Sequence, residues 1–329
     1  MKILYSIGPY PSRRVGDYIV IVDPVGFPKK CPYNCIYCPI GETIIKTNQP
    51  NALINYNTIL RDFENIIDKI GCHPKAILLY GSGDPWLNPW LPLIVNGIRK
   101  ILAEKECRSE LWAVTTGFLL NRPWALNVLE NIDKIYLKLD TISGEEYTFI
   151  NDPVEGLSPW KLKEILNDLK KKSLLRNIVL DITLIEYNGE NNYRSHLIDE
   201  IFAYANMVRI ENIIIKTINR PPRTKGVKPV STKVLRKVGE KAIEEGLNPL
   251  IVTNEVIYQN YPRKINVGVE EIYNYLLRRP MSIIELSRSF SQPIHTVVSK
   301  LLVLEKNRLV DKIPWRNKIF YKSLYVRTL

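Results

Sequence analysis

The sequence predicts an α/β fold built on a largely parallel sheet, followed by a small helical module with a two-stranded tail. Three observations carry this reading. Short β-branched or aliphatic runs alternate with segments of helical period, the pattern of parallel strands joined by crossover helices. The alternation stops at NRPPRTKGVKP (219–229), rich in proline and positive charge, which reads as a boundary loop. The last sixty-odd residues then follow a different plan.

The strand candidates are YIVIVDPV (18–25), AILLYGSG (76–83), LWAVTTG (111–117), KIYLKLD (134–140), NIVLDITLI (177–185) and NIIIKTI (212–218). Between them, TILRDFENIIDKI (58–70), WLPLIVNGIRKILAEKE (90–106), WKLKEILNDLKKK (160–172) and YRSHLIDEIFAYANM (193–207) repeat apolar residues at three- and four-residue steps, as amphipathic helices do. Six βα units are too few to close an eight-stranded barrel, so an open doubly wound sheet or a partial barrel fits. Either way, ligands are expected at the carboxyl ends of the strands.

A helix is expected near 231–246 and a linker around Tyr261 and Pro262. Beyond it, VEEIYNYLLRR, MSIIELSRSF and IHTVVSKLLVLEKN read as three helices, and RLVDKIP and KIFYKS flank WRN as a hairpin. That is a winged helix-turn-helix order. Its expected core is Ile283, Ile284, Leu286, Val297, Val298, Leu301 and Leu302, which leaves His295, Thr296, Ser299 and Lys300 exposed on the third helix. Such a helix enters a major groove where the module reads duplex DNA. The predicted domains are therefore 1–262, with a core at 8–222 and a basic extension at 220–262, and 263–329.

The chain has 329 residues and a formal charge of +12. Residues 1–219 hold 25 basic and 25 acidic groups, whereas residues 220–329 hold 21 and 9, so the excess lies wholly at one end. A one-sided basic surface serves solubility or attracts a polyanion such as nucleic acid. A core of this size needs no disulfides. The five cysteines make an odd count, no charged-then-apolar leader opens the chain, and no apolar run approaches a membrane span of ~18 residues. These features predict a soluble cytoplasmic protein with free thiols.

Three of the five cysteines crowd into KKCPYNCIYCPIG as Cys31, Cys35 and Cys38. Three soft thiolates suit zinc or an iron–sulfur cluster. Structural zinc wants a fourth donor, and Cys72 and His73 are far along the chain. A 4Fe-4S cluster held by three cysteines leaves one iron without a protein ligand. The C-x-x-x-C-x-x-C spacing, with an aromatic before the third cysteine, resembles the radical S-adenosylmethionine (SAM) superfamily, in which the open iron is chelated by the amino and carboxylate groups of SAM. The triplet follows the first strand candidate, on the rim where barrel sites form.

The resemblance extends over residues 8–222: GPYPSRRVG (8–16), YGSGDPWLNP (80–89), TTG (115–117), LKLD (137–140) and NRPP (219–222) look like the group related to archaeal wyosine synthases, which modify a guanosine of tRNA. It implies a partial (β/α)6 barrel, one 4Fe-4S cluster on Cys31, Cys35 and Cys38, SAM as cofactor and an external one-electron donor. It also implies cleavage of SAM to a 5'-deoxyadenosyl radical that abstracts hydrogen from a C–H bond. Tyr37 would lie toward the adenine, or be an ordinary half-buried aromatic. Gly81, Ser82, Gly83 and Asp84 would form the loop that holds the SAM amino group, with the glycines admitting backbone to the ligand; Asp84 stands where the family usually has glutamate. Thr116 and Asp140 either meet ribose hydroxyls or act as caps.

Arg13, Arg14 and Arg220 would meet a phosphate or carboxylate of substrate, which guanidinium forks match well, or would pair with acids. No cysteine precedes the triplet, so the second cluster of wyosine synthases is not expected, and Cys72 and Cys107 read as buried apolar thiols. His73, His196 and His295 read as structural or surface residues. Three functional readings follow: a radical SAM enzyme directed to nucleic acid, such as tRNA, with the tail as docking arm; one acting on a peptide, protein or small metabolite, with the tail as partner-recognition module; and an iron–sulfur transcription regulator.

Overall fold

A computed structural model describes residues 1–51, 54–253 and 258–325. Eight strands form the main sheet: β1 (Ser6–Ser12), β2 (Asp17–Val22), β3 (Ala76–Leu79), β4 (Glu110–Thr115), β5 (Lys134–Lys138), β6 (Ile178–Tyr187), β7 (Asn212–Thr217) and β8 (Asn248–Val252). Their spatial order follows the chain. β1 is antiparallel to β2, and every later neighbour is parallel. Two short segments, Glu190–Asn191 and Val227–Pro229, pair antiparallel with the end of β6.

A doubly wound sheet reverses its strand order part-way and carries helices on both faces. This sheet never reverses, so right-handed crossovers put the helices on one side and the sheet curls into an open half-barrel. All six strands expected from the sequence are present. Two were not foreseen: β1, because GPYPS carries two prolines, and β8, because NPLIV lies in the segment read as a basic extension.

Seven helices connect or flank these strands: α1 (Tyr56–Ile70), α2 (Leu91–Glu104), α3 (Pro123–Leu129), α4 (Gly144–Asn151), α5 (Pro159–Lys171), α6 (Ser195–Val208) and α7 (Thr232–Glu244). α1 shows the rule: Asn55 caps its start by accepting from the Asn57 amide, and Ile59, Phe63, Ile67 and Ile70 form one buried stripe. α3 and α4 are too short, at 7 and 8 residues, to show a period in the sequence.

The carboxyl-terminal part has the expected element order: α8 (Val269–Arg278), α9 (Ile283–Phe290), α10 (Ile294–Lys306) and a hairpin of β9 (Val310–Trp315) and β10 (Lys318–Ser323). Arg316 and Asn317 both take positive φ, as a two-residue hairpin turn requires. Residues 326–329 of the expected module lie outside the described residues. Two expected core residues are exposed: Ile284 at 53% and Leu302 at 55%. The stripe that α10 buries is Val297, Leu301 and Leu304, and Leu302 sits about a quarter turn away from it. α9 buries Leu286 and Phe290, which turns Ile284 outward. Val298 is half-buried, His295 and Ser299 are exposed, and Thr296 and Lys300 are partly so.

These helices are continuous with the barrel. Tyr273, Tyr275, Leu276 and Phe290 belong to the same hydrophobic cluster as the sheet, and Tyr275 stacks on Tyr10 of β1 at 5.4 Å between ring centroids. Arg278, fully buried, pairs with buried Asp23 at 3.2 Å and donates to the Leu4 carbonyl at 2.5 Å. Among the described residues, no helix is long and apolar enough to cross a membrane.

Removing one member of a buried ion pair leaves the other charge uncompensated, at a cost of about 3–5 kcal/mol. Arg278→Leu is therefore expected to lower the stability of the whole chain by that order in urea unfolding. Lys318→Ala, on the exposed hairpin, should leave the midpoint unchanged; equal midpoints for both variants would show that the Asp23 contact does not join the two parts.

Candidate active site

The carboxyl ends of the parallel strands open onto a cavity of about 210 Å³. Strand alternation selects its walls: Ile19 and Ile21 from β2, Leu78 from β3, Val114 from β4, Lys138 from β5, Thr183 from β6, Lys216 from β7 and Val252 from β8. Cys31, Cys35 and Cys38 line the same cavity, and all three are free thiols.

The cysteine loop is tightly held. The Cys38 amide donates to the Cys35 carbonyl at 3.1 Å and the Gly41 amide to the Cys38 carbonyl at 3.2 Å. Asn151 Nδ2 lies 3.5 Å from Cys35 Sγ, and Lys29 Nζ donates to Cys38 Sγ at 3.2 Å and to the Gly41 carbonyl at 2.7 Å. Burial pushes the Cys31 thiol up and the Cys35 thiol up to about 11. Burial also raises Cys38, but the Lys29 ammonium outweighs it and holds this thiol below its ordinary value.

The loop after β3 docks onto the cysteine loop. A Cβ at Gly83 would lie 1.6 Å from the Lys30 carbonyl oxygen, and one at Gly81 would lie 2.3 Å from Cγ of Asp23. These glycines therefore permit loop to pack on loop, a more immediate need than the approach to ligand expected from the sequence. Ser82 is fully buried and does not line the cavity: its hydroxyl faces the Asp23 carboxylate at 2.8 Å and the Gly26 carbonyl. Gly81, Gly83 and Asp84 do line it.

Asp84 acts as a tie. Its carboxylate accepts from the Thr116 amide and hydroxyl, both at 2.7 Å, from the Thr115 hydroxyl at 3.0 Å and from the Trp86 amide at 3.1 Å. Burial raises its pKa despite these donors. Thr116 lines the cavity, yet its hydroxyl is committed to Asp84. Asp140 departs from the expected ribose contact. It is buried outside the cavity lining, and its oxygens accept from Tyr37 Oη, Lys138 Nζ (2.8 Å), Asn151 Nδ2 (2.9 Å) and the Thr183 amide (2.8 Å). It fixes the Tyr37 ring, which does line the cavity, with Lys138 Nζ 5.4 Å from the ring centroid.

Beneath the cavity, fully buried Asp181 gathers Arg14, Lys216 and Lys138. Burial would raise its pKa, but these three cations hold it far below the usual carboxylate range. Arg14 also lies 5.0 Å over the Tyr136 ring. Burial and the neighbouring Arg14 push Lys216 well below its ordinary value. Arg13 donates to the Thr217 carbonyl at 2.8 Å and the Thr253 carbonyl at 3.3 Å. Arg220 pairs with Glu285 of α9.

Sequence reasoning missed Lys29, Lys138, Lys216 and Arg279, all of which line the cavity. The signal was there for two of them: Lys138 follows Ile135, Tyr136 and Leu137, and Lys216 follows Ile213, Ile214 and Ile215, so each charge ends a buried apolar run, where it needs a partner. Cys72 and Cys107 are a correction. They are disulfide-bonded, Cys72 being exposed and Cys107 half-buried, so neither is a buried free thiol. Two residues remote in sequence meet here because α2 folds back along α1, which the local pattern does not reveal.

The donor set fits an iron–sulfur cube. Three thiols set around one cavity suit a cluster in which each binds a different iron. The family model described as the radical SAM superfamily matches residues 25–192. The chain belongs to that superfamily.

It is accordingly a radical SAM enzyme, with a 4Fe-4S cluster and SAM as its cofactors. It is similar to a UPF0026 protein of Helicobacter pylori, 24% identical over 84% of each chain, and to one of Methanocaldococcus jannaschii, 24% identical over 78% of this chain and 73% of that one. The resemblance to wyosine synthases is not carried by these relatives. In fold it is similar to Streptococcus suis SuiB bound to S-adenosylmethionine, with a TM-score of 0.50 and 12% identity over 72% of this chain. It is likewise similar to anSMEcpe with bound AdoMet, with a TM-score of 0.50 and 12% identity over 71% of this chain and 63% of that one. The chain spans about half the length of SuiB, 51%.

Replacing Cys31, Cys35 or Cys38 singly by alanine is expected to abolish stable iron and acid-labile sulfide after anaerobic reconstitution, whereas the Cys72→Ser/Cys107→Ser double variant should keep both. Gly83→Ala should also lose iron, because its Cβ drives the two loops apart. Full iron in Gly83→Ala would show that the loop contact does not set the cysteines.

Proposed function

We propose that this radical SAM enzyme holds one 4Fe-4S cluster on Cys31, Cys35 and Cys38 and acts on an anionic substrate, with RNA, and tRNA in particular, as the preferred class. The cavity carries this reading: seven lysine or arginine side chains line it against one lining carboxylate, Asp84, whose oxygens are already bonded, and four of the seven are paired with Asp140, Asp181 or Glu285 just outside the lining. When bound, the cluster and SAM together supply the 5'-deoxyadenosyl radical that takes hydrogen from a C–H bond.

The protein's own groups do the rest. Lys29 places a cation against Cys38, Tyr37 is clamped by Asp140, and the Asp84 tie holds the loop after β3 to the end of β4. Arg13, Arg14 and Arg220 line the cavity; Arg14 pairs with Asp181 and Arg220 with Glu285, so a phosphate or carboxylate of the substrate would compete with those carboxylates for their forks. Ile19, Ile21, Val114 and Val252 give the cavity an apolar wall.

The preference for RNA rests on the tail. The bridge between Met281 and Tyr321 adds a third short pairing to the hairpin, which supports a winged helix-turn-helix reading of three helices and a wing. Lys306, Arg308, Lys312, Arg316 and Lys318 are exposed around the end of α10 and the hairpin, in reach of a phosphate backbone. A small anionic metabolite or an acidic peptide is the second reading, favoured by Arg279, just past α8, lining the cavity and by Glu285 of α9 pairing with Arg220 on its wall.

In the test, anaerobic protein receives dithionite and SAM, and 5'-deoxyadenosine is quantified with and without total tRNA. The expected result is turnover that rises with tRNA, together with salt-sensitive tRNA binding that weakens when Lys306, Arg308 and Lys312 become alanine. Turnover indifferent to tRNA selects the small-molecule or peptide reading, and no 5'-deoxyadenosine at all contradicts both.

A further inference from the structure

The tail does more than lie beside the cavity. Its Arg279, the residue that ends α8, lines the cavity with Arg13 and Arg220. The three come from distant parts of the chain: the turn after β1, the loop after β7 and the carboxyl-terminal helices. We propose that Arg279 completes, with Arg13 and Arg220, a subsite for the phosphate or carboxylate group of the substrate, so that the tail is part of the reaction site. The inference rests on reading this cavity as the radical SAM site.

Four observations carry it. Arg279 is held in place by β1: one guanidinium nitrogen donates to the Pro11 carbonyl at 2.7 Å, and the group lies 4.5 Å over the Tyr10 ring. Those partners leave donors over, because Nε of Arg279 is buried without a hydrogen-bond partner among the described residues. Nε of Arg220 is unpartnered in the same way, on a side chain only 6% exposed. An unmet donor on a buried cation is costly unless a ligand supplies the acceptor. Finally, Arg13, Arg14, Arg220 and Arg279 line the one cavity, and burial together with repulsion from the other three brings Arg13 down to about 9.

Crowded cations are stable when an anion sits among them, and planar forks suit the two or three oxygens of a carboxylate or phosphate. Glu285 occupies part of that role. It pairs with Arg220 while its other oxygen closes the α9 capping box, accepting from the Ser282 amide at 2.9 Å. An entering substrate anion would compete with Glu285 for Arg220.

The test uses the reconstituted, anaerobic full chain and calorimetric titration with inorganic pyrophosphate and, separately, citrate, which distinguish phosphate from carboxylate; SAM is titrated in parallel. Arg279→Ala is expected to weaken the better-bound anion about tenfold or more, and Arg279→Lys by less. SAM affinity should stay within about twofold. Glu285→Gln keeps the helix cap but removes the competing charge, so it should tighten anion binding several-fold. The proposal is overturned if wild type binds neither anion, if Arg279→Ala binds as wild type does, if Glu285→Gln weakens binding, or if Arg279→Ala loses SAM affinity instead. Should wild type fail to bind SAM, the radical SAM reading of the cavity falls; SAM binding with unaltered anion affinity removes the subsite alone.

Discussion

The site depends on one close contact, the loop after β3 lying against the backbone of the cysteine loop. Gly83 meets the Lys30 carbonyl where no side chain fits, and the Ser82 carbonyl accepts from the Lys30 amide at 2.9 Å. Just behind, the Asp23 carboxylate receives the amides of Val25, Gly26 and Ser82. This knot fixes where Cys31 begins relative to the strand ends. Everything that lines the cavity is referenced to it: the thiols on one side, and on the other the Asp84 tie that carries the position across to β4.

The same Asp23 also reaches the tail through Arg278. One buried carboxylate thus links the cysteine loop, the loop after β3 and α8. Disturbing the carboxyl-terminal helices is therefore a disturbance of the site, which distinguishes this tail from a docking arm on a free hinge. Arg220 and Glu285 repeat the connection on the other side of the cavity.

The parallel strands β2 to β7 were legible because most of their residues are buried and so read as apolar runs. β1 and β8 were not, since prolines and an edge position weaken that signal. The three cysteines declared themselves by spacing. The roles of Ser82, Asp84 and Asp140 did not, because whether a short polar side chain faces a ligand or a neighbouring loop depends on contacts made across the sheet. Arg279 was hidden for the same reason: its nearest partners, Tyr10 and Pro11, lie some 270 residues earlier in the chain.

Whether the three thiols leave an iron open to SAM can be asked directly. Electron paramagnetic resonance of the dithionite-reduced, reconstituted chain should show a 4Fe-4S signal whose g values shift when SAM is added, because SAM becomes a ligand of the cluster. A signal identical with and without SAM, or a metal centre with four protein donors, would contradict it.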